Sequence, residues 1–98
     1  MSNPLDIFKE IDGAFFEALG KDRALAFEGG TLSKKEKFLI ALALDASKGA
    51  VGGVRTLALS AMDAGATKEE IAEALRITYF ICGAVSTFTA AEALKDIF

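Results

Sequence analysis

Residues 32–75 read LSKKEKFLIALALDASKGAVGGVRTLALSAMDAGATKEEIAEAL. Two short segments within this run, Ser33-Lys34-Lys35-Glu36 and Thr67-Lys68-Glu69-Glu70, have the form of a capping box. In that arrangement the cap hydroxyl accepts from the third backbone N–H, and the glutamate accepts from the cap's own N–H. Each segment therefore marks a helix start. Ala64-Gly65-Ala66 ends the intervening helical stretch, with Gly65 suited to the left-handed terminal position. A break at Lys48 or Gly49 divides residues 34–64 into two helices, and one at Gly83 separates a helix over 68–81 from a last helix ending near Phe98.

A weak internal repeat supports this division. At an offset of 34 residues, Lys34, Glu36, Gly49, Ala50 and Val51 match Lys68, Glu70, Gly83, Ala84 and Val85. The repeat reads as two stacked helical hairpins. Upstream, Asn3-Pro4 with Asp6 in the first turn starts another helix, whose apolar positions Leu5, Phe8, Ile11, Phe15, Phe16 and Leu19 recur at helical spacing before Gly20. Residues 22–28 form a further short helix in this reading. Nothing resembles a strand or a linker, so the expectation is one all-α domain of five to six helices over residues 1–98.

Composition narrows the partners. Of the 98 residues, 52% are hydrophobic and the mean hydropathy is +0.36. A domain of this size buries only about 60 to 70% of its unfolded surface. Association with further copies of the chain is the expected outlet. The longest stretch without charge, Ile77 to Ala91, is too short and too polar to span a membrane. The N-terminal MSNPLDIFKEID brings acidic residues where a secretion signal places basic ones, so a cytoplasmic protein is expected. A net charge of −3 with scattered lysines provides no basic stripe for nucleic acid. With one cysteine and no histidine, the chain has neither an internal disulfide nor an imidazole base, and no metal site or cofactor is expected.

On the helix around the glycine stretch, one arc carries Gly49, Gly52, Arg55, Thr56, Ser60 and Asp63, interrupted by Leu59. The opposite arc carries Ala50, Val51, Val54, Leu57, Ala58, Ala61 and Met62, with Gly53 at its edge. That second arc is expected to face the interior, with Gly52 and Gly53 allowing close approach of a neighbouring backbone.

The run from Leu32 to Leu75 resembles the characteristic segment of the carboxymuconolactone decarboxylase and alkylhydroperoxidase D-like family, above all in KEKFLIALAL and DAGATKEEIAEAL. The resemblance implies an all-α, alkylhydroperoxidase D-like helical bundle whose subunits assemble as homotrimers or homohexamers. Redox-active members of the family carry a helix-start Cys-x-x-Cys, a histidine four residues after the second cysteine and a glutamate twelve before the first. Those positions fall here on Ala50 and Gly53, on Leu57 and on Phe38. All four groups are replaced, so the dithiol peroxidase mechanism has no residues to run on, and the site is expected to be a packed apolar one.

Two functional classes follow. The first is a non-redox protein, either a structural oligomer or a small-molecule binder. The second is an enzyme of altered mechanism, decarboxylase-like through Asp45 and Arg55 or peroxide-reactive through Cys82. Arg55, Thr56 and Arg76 are the polar residues suited to an anionic ligand, or else a solvated or subunit-facing arc. Asp45 reads more simply as an ion-pair partner of Lys48 or Arg55. Cys82, between Ile81 and Gly83, reads more simply as a buried structural thiol. Phe15, Phe16, Tyr79, Phe80 and Phe88 are expected in the core or at an interface.

Overall fold

The computed structural model describes residues 3–98, and the described residues are helical with no strand. Two compact units divide the chain at Thr31 and Leu32.

The first unit opens with a 3-10 turn, Pro4–Asp6, followed by α1 (Ile7–Ile11) and α2 (Gly13–Phe27). Asn3 caps the turn as its sequence predicts, its Oδ1 accepting from the Leu5 N–H at 2.9 Å, with Pro4 in the first turn. The expected single helix to Leu19 and the separate helix over 22–28 are both corrected. The chain breaks at Asp12, whose φ of −161° and ψ of 86° leave helical space, and then continues without interruption through Gly20 to Phe27. The cause is local: Asp12 turns its carboxylate onto the Phe15 N–H at 3.0 Å and so caps a new helix. The rings of Phe8 and Phe15 meet edge to face across that break, 5.2 Å between centroids. None of the described residues of this unit is buried.

The second unit holds α3 (Lys34–Ser47), α4 (Val51–Asp63), α5 (Lys68–Cys82) and α6 (Ala84–Leu94). Both predicted capping boxes are present. Ser33 and Glu36 exchange bonds of 3.1 and 2.8 Å, and Thr67 and Glu70 bonds of 3.1 and 2.9 Å. The two junctions that the repeat aligns, Gly49 and Gly83, take φ of 76° and 89°, a region that costs an L-residue with a Cβ about 1 kcal/mol or more. Each hairpin therefore turns on a glycine. Within the unit α3 packs on α4 and α5, and α6 packs on α4, α5 and α3.

The centre is small: Leu42, Ala46, Val54, Ala58, Ile71 and Ala93, flanked by Leu39, Leu57, Leu75, Leu94 and Ile97. On α4 the buried residues are Val54, Ala58 and Ala61, in agreement with the predicted inner arc, but Val51 and Met62 at its margins are exposed. Of the aromatic residues expected in the core or at an interface, Phe80 and Phe88 lie outside the core, 84% and 77% exposed. No helix among the described residues is long and apolar enough to cross a membrane.

Glu70 joins the hairpins electrostatically. Its Oε1 completes its own capping box, and its Oε2 accepts from Lys35 Nζ, in the first turn of α3, at 2.9 Å. The Lys35 bond, followed by the bond from the Thr67 backbone, holds the Glu70 carboxyl below its ordinary 4.5; for Glu36 the bonds from the Ser33 backbone and then its hydroxyl do the same. A carboxyl depressed in the folded state contributes stability above its unfolded value, which is lost as pH falls through the folded one. Unfolding midpoints in urea should therefore be flat above about pH 5 and fall below about pH 4.5. That fall should be shallower in Glu70→Gln, as chemical denaturation across pH 3 to 7 would measure.

Candidate functional site

The place to look for chemistry is the turn from α3 into α4, where the four replaced positions lie. Phe38 is buried on α3, at 8% exposure. Ala50 is the N-cap of α4 and provides no side-chain cap bond; Gly53 follows in the first turn, and Leu57, half-buried, packs against the core one turn on. The helix start predicted for these residues is therefore present, but without a group that can carry electrons or protons at positions 50, 53 or 57.

The expectation of a purely apolar filling is corrected by Asp45. A Cβ built on Gly53 would overlap the Asp45 carboxylate, with Cγ only 2.9 Å away. The carboxylate thus occupies the space that any side chain at position 53 would need. The atoms nearest a Cβ at Gly53 thus belong to a side chain, and a Cβ on Gly52 would meet nothing within 4 Å. Both differ from the close backbone approach read from the sequence. The physical sense of the arrangement is electrostatic: an anion beside the first turn of a helix is favoured by about 0.3 to 1 kcal/mol, and the start of α4 has no side-chain cap bond.

Asp45 does not pair with Arg55, as the sequence suggested. Arg55 NH1 instead approaches Asp96 Oδ2 at 3.7 Å, and neither Asp45 nor Lys48 forms an ion pair among the described residues. The decarboxylase-like pairing of Asp45 with Arg55 is therefore not assembled. Arg55, Thr56 and Arg76 are all exposed, but they are not gathered into one site. Arg76 lines a trough between α5 and α6 in which neither Arg55 nor Thr56 takes part.

Cys82 overturns its simpler reading: it is exposed, not buried. Its apolar neighbours misled the sequence argument because they are themselves outside, Phe80 at 84% and Ile81 at 72%. Apolar flanks indicate burial only when the helix face they share is covered.

The described residues of the second unit carry, among others, three grooves along α5. One runs between α5 and α6, a second continues it toward Phe98, and a third lies between α3 and α5. None of the three is lined by Phe38, Asp45, Ala50, Gly53 or Leu57. Sequence reasoning missed these grooves because it searched the old redox turn, whereas they run along α5. The signal was available in the apolar residues around Arg76 and Tyr79.

The interlock of Asp45 with Gly53 is testable by a double-mutant cycle. Gly53→Ala alone should destabilise by about 1 to 3 kcal/mol, the usual range for overpacking. In an Asp45→Ala background the same change should become neutral or stabilising by about 0.5 to 1 kcal/mol, the ordinary helix preference for alanine. Urea denaturation of the four proteins gives the coupling, and additivity would remove the interlock. Separately, Cys82 should react completely with a thiol reagent in the native protein at neutral pH, without waiting for unfolding.

Comparison with known proteins agrees with this architecture. The Carboxymuconolactone decarboxylase family matches residues 13–96. The chain is 28% identical over 93 residues to the uncharacterized protein MJ1511 of Methanocaldococcus jannaschii, covering 95% of this chain and 87% of that one. Among solved structures, apo-lpg0406, a carboxymuconolactone decarboxylase family protein from Legionella pneumophila, superposes with a TM-score of 0.86 at 31% identity, over 93% of this chain and 81% of that one. Helix order, capping boxes and the match over nearly the whole chain thus lead to one conclusion: this chain belongs to the carboxymuconolactone decarboxylase family.

Proposed function

We propose that this chain is a non-redox member of its family, a cytoplasmic protein that works as a homo-oligomer. The observation that carries the reading is the apolar face shared by α3 and α5. Ile40, Leu44, Ile77 and Ile81 are 49, 58, 67 and 72% exposed, and a groove of about 420 Å³ runs between the two helices beside Leu39 and Ala43. Apolar surface of this kind on one face is a mark of association, and the composition is more hydrophobic than one small unit can hide. The family resemblance favours a homotrimer or homohexamer. The loss of thiol, imidazole and acid from positions 38, 50, 53 and 57 supports the non-redox part.

A second reading has one observation in its favour. Cys82 is exposed and has no hydrogen-bond partner among the described residues, so a peroxide can reach it. Peroxide would oxidise the thiol to a sulfenic acid and leave as water or an alcohol; with no second cysteine in the chain, an external thiol must reduce that sulfenic acid before further peroxide takes it to the sulfinic acid.

Light scattering on the native protein should give the mass of three or six chains. Leu44→Asp with Ile77→Glu should reduce it to that of one chain while the helical circular dichroism is kept. A monomeric wild type would sink the assembly reading. Hydroperoxide consumption with a dithiol reductant should be at background, and turnover that disappears in Cys82→Ser would replace the non-redox reading with the second one.

A further inference from the structure

The apolar trough between α5 and α6 has a volume of about 620 Å³, in the range of small-molecule sites. Leu75 and Ala72 form one wall, and Ala84, Phe88, Ala91 and Leu94 the other. It shares Ala72, Leu75 and Leu94 with a second trough of about 390 Å³ that ends at Phe98, so the apolar floor is continuous along α5. From Lys68 to Tyr79 this is about 17 Å at the helical rise.

The polar groups in the first trough differ from the hydroxyls buried on the same two helices. The hydroxyls buried inside the unit are all satisfied: Thr78 donates to the Ala74 carbonyl, Ser86 to that of Gly83 and Thr89 to that of Val85, at 2.7 to 3.0 Å. Thr87 and Tyr79, which line the trough, have no such bond among the described residues. Arg76, the charged residue of the lining, has no ion pair or hydrogen bond there either, whereas Arg55 pairs with Asp96 and Arg23 lies over the Phe27 ring. An unpaired guanidinium beside an elongated apolar floor is complementary to one kind of small molecule: an anionic head on an apolar tail. The planar fork of arginine favours a carboxylate, which it can hold through two parallel N–H donors.

We propose that the α5–α6 trough binds an amphipathic monocarboxylate of the fatty-acid class, with its carboxylate on Arg76, its tail on Leu75, Ala72 and Leu94, and the Thr87 and Tyr79 hydroxyls available to the head. The site is separate from the α3–α5 face assigned above to self-association, so either proposal can fail without the other. Lengthening the tail strengthens binding by roughly fourfold per methylene while the floor lasts.

Calorimetric titration of the intact protein with sodium decanoate tests this. Saturable binding of one decanoate per chain is expected, with octanoate weaker and acetate undetectable. Nonyltrimethylammonium, which has the same nine-carbon tail and the opposite charge, should bind at least about tenfold more weakly. Arg76 is exposed, so Arg76→Gln should fold normally and lose about tenfold or more in decanoate affinity, with Arg76→Lys intermediate. Ala91→Trp, which fills the trough, should abolish binding with the circular dichroism unchanged. Equal affinity for the cationic analogue, or undiminished affinity in Arg76→Gln, would overturn the site. A change of particle mass in Ala91→Trp, with no decanoate bound by the wild type, would make the trough an interface between copies and overturn it equally.

Discussion

The smallness of its core governs this molecule. Half of the central cluster of the four-helix unit is alanine, at positions 46, 58 and 93, so the helices approach closely and little space remains between them. Large apolar side chains on the same helices therefore have no interior to enter. Leu44, Ile77, Phe80, Ile81, Val85 and Phe88 point outward because the inward positions of their helices are already taken by Leu42, Ala46, Ile71 and Thr78 on α3 and α5, and by Ser86 and Ala90 on α6. The exposed apolar faces and grooves follow from that constraint, and the proposals about partners and ligands rest on it.

The same economy appears at the turn into α4. In a roomier fold, replacing reactive groups by Ala, Gly, Leu and Phe would leave a cavity, and a cavity costs stability in proportion to its volume. Here the space beside Gly53 is taken by the carboxylate of Asp45 from the preceding helix. The glycine that appeared to weaken α4 is thus the residue that lets an anion sit against its first turn. One position gives up helix preference while its neighbour supplies the charge that the uncapped helix start favours.

Electrostatics plays a smaller part and a more specific one. The ion pair of Arg55 with Asp96 is exposed and weak by nature, and those of Lys9 with Asp6 and Lys95 with Glu92 are local. Lys35 with Glu70 differs because it connects two helix starts 35 residues apart, and because the same carboxylate also closes a capping box. It ties the start of one hairpin to the start of the other.

Much of the architecture was legible in the residues because it is written in local rules. Capping boxes at Ser33 and Thr67, a proline after Asn3 and glycines at 49, 65 and 83 satisfy or release backbone groups within a few residues, so sequence alone determined where those helices begin and end. The break at Asp12 is equally local but was hidden by an apolar spacing that continues across it. What only the tertiary structure decided is which side of each helix is covered. Helical periodicity cannot tell an inner face from an outer one when both are apolar, so Cys82 was assigned to the wrong side and the aromatic residues near it were left between core and interface. Nor can spacing along the chain bring Asp45 to Gly53, or Arg55 to Asp96, since those meetings depend on how far apart the helix axes lie. That distance is fixed by the alanines between them, a property of packing that no single segment contains.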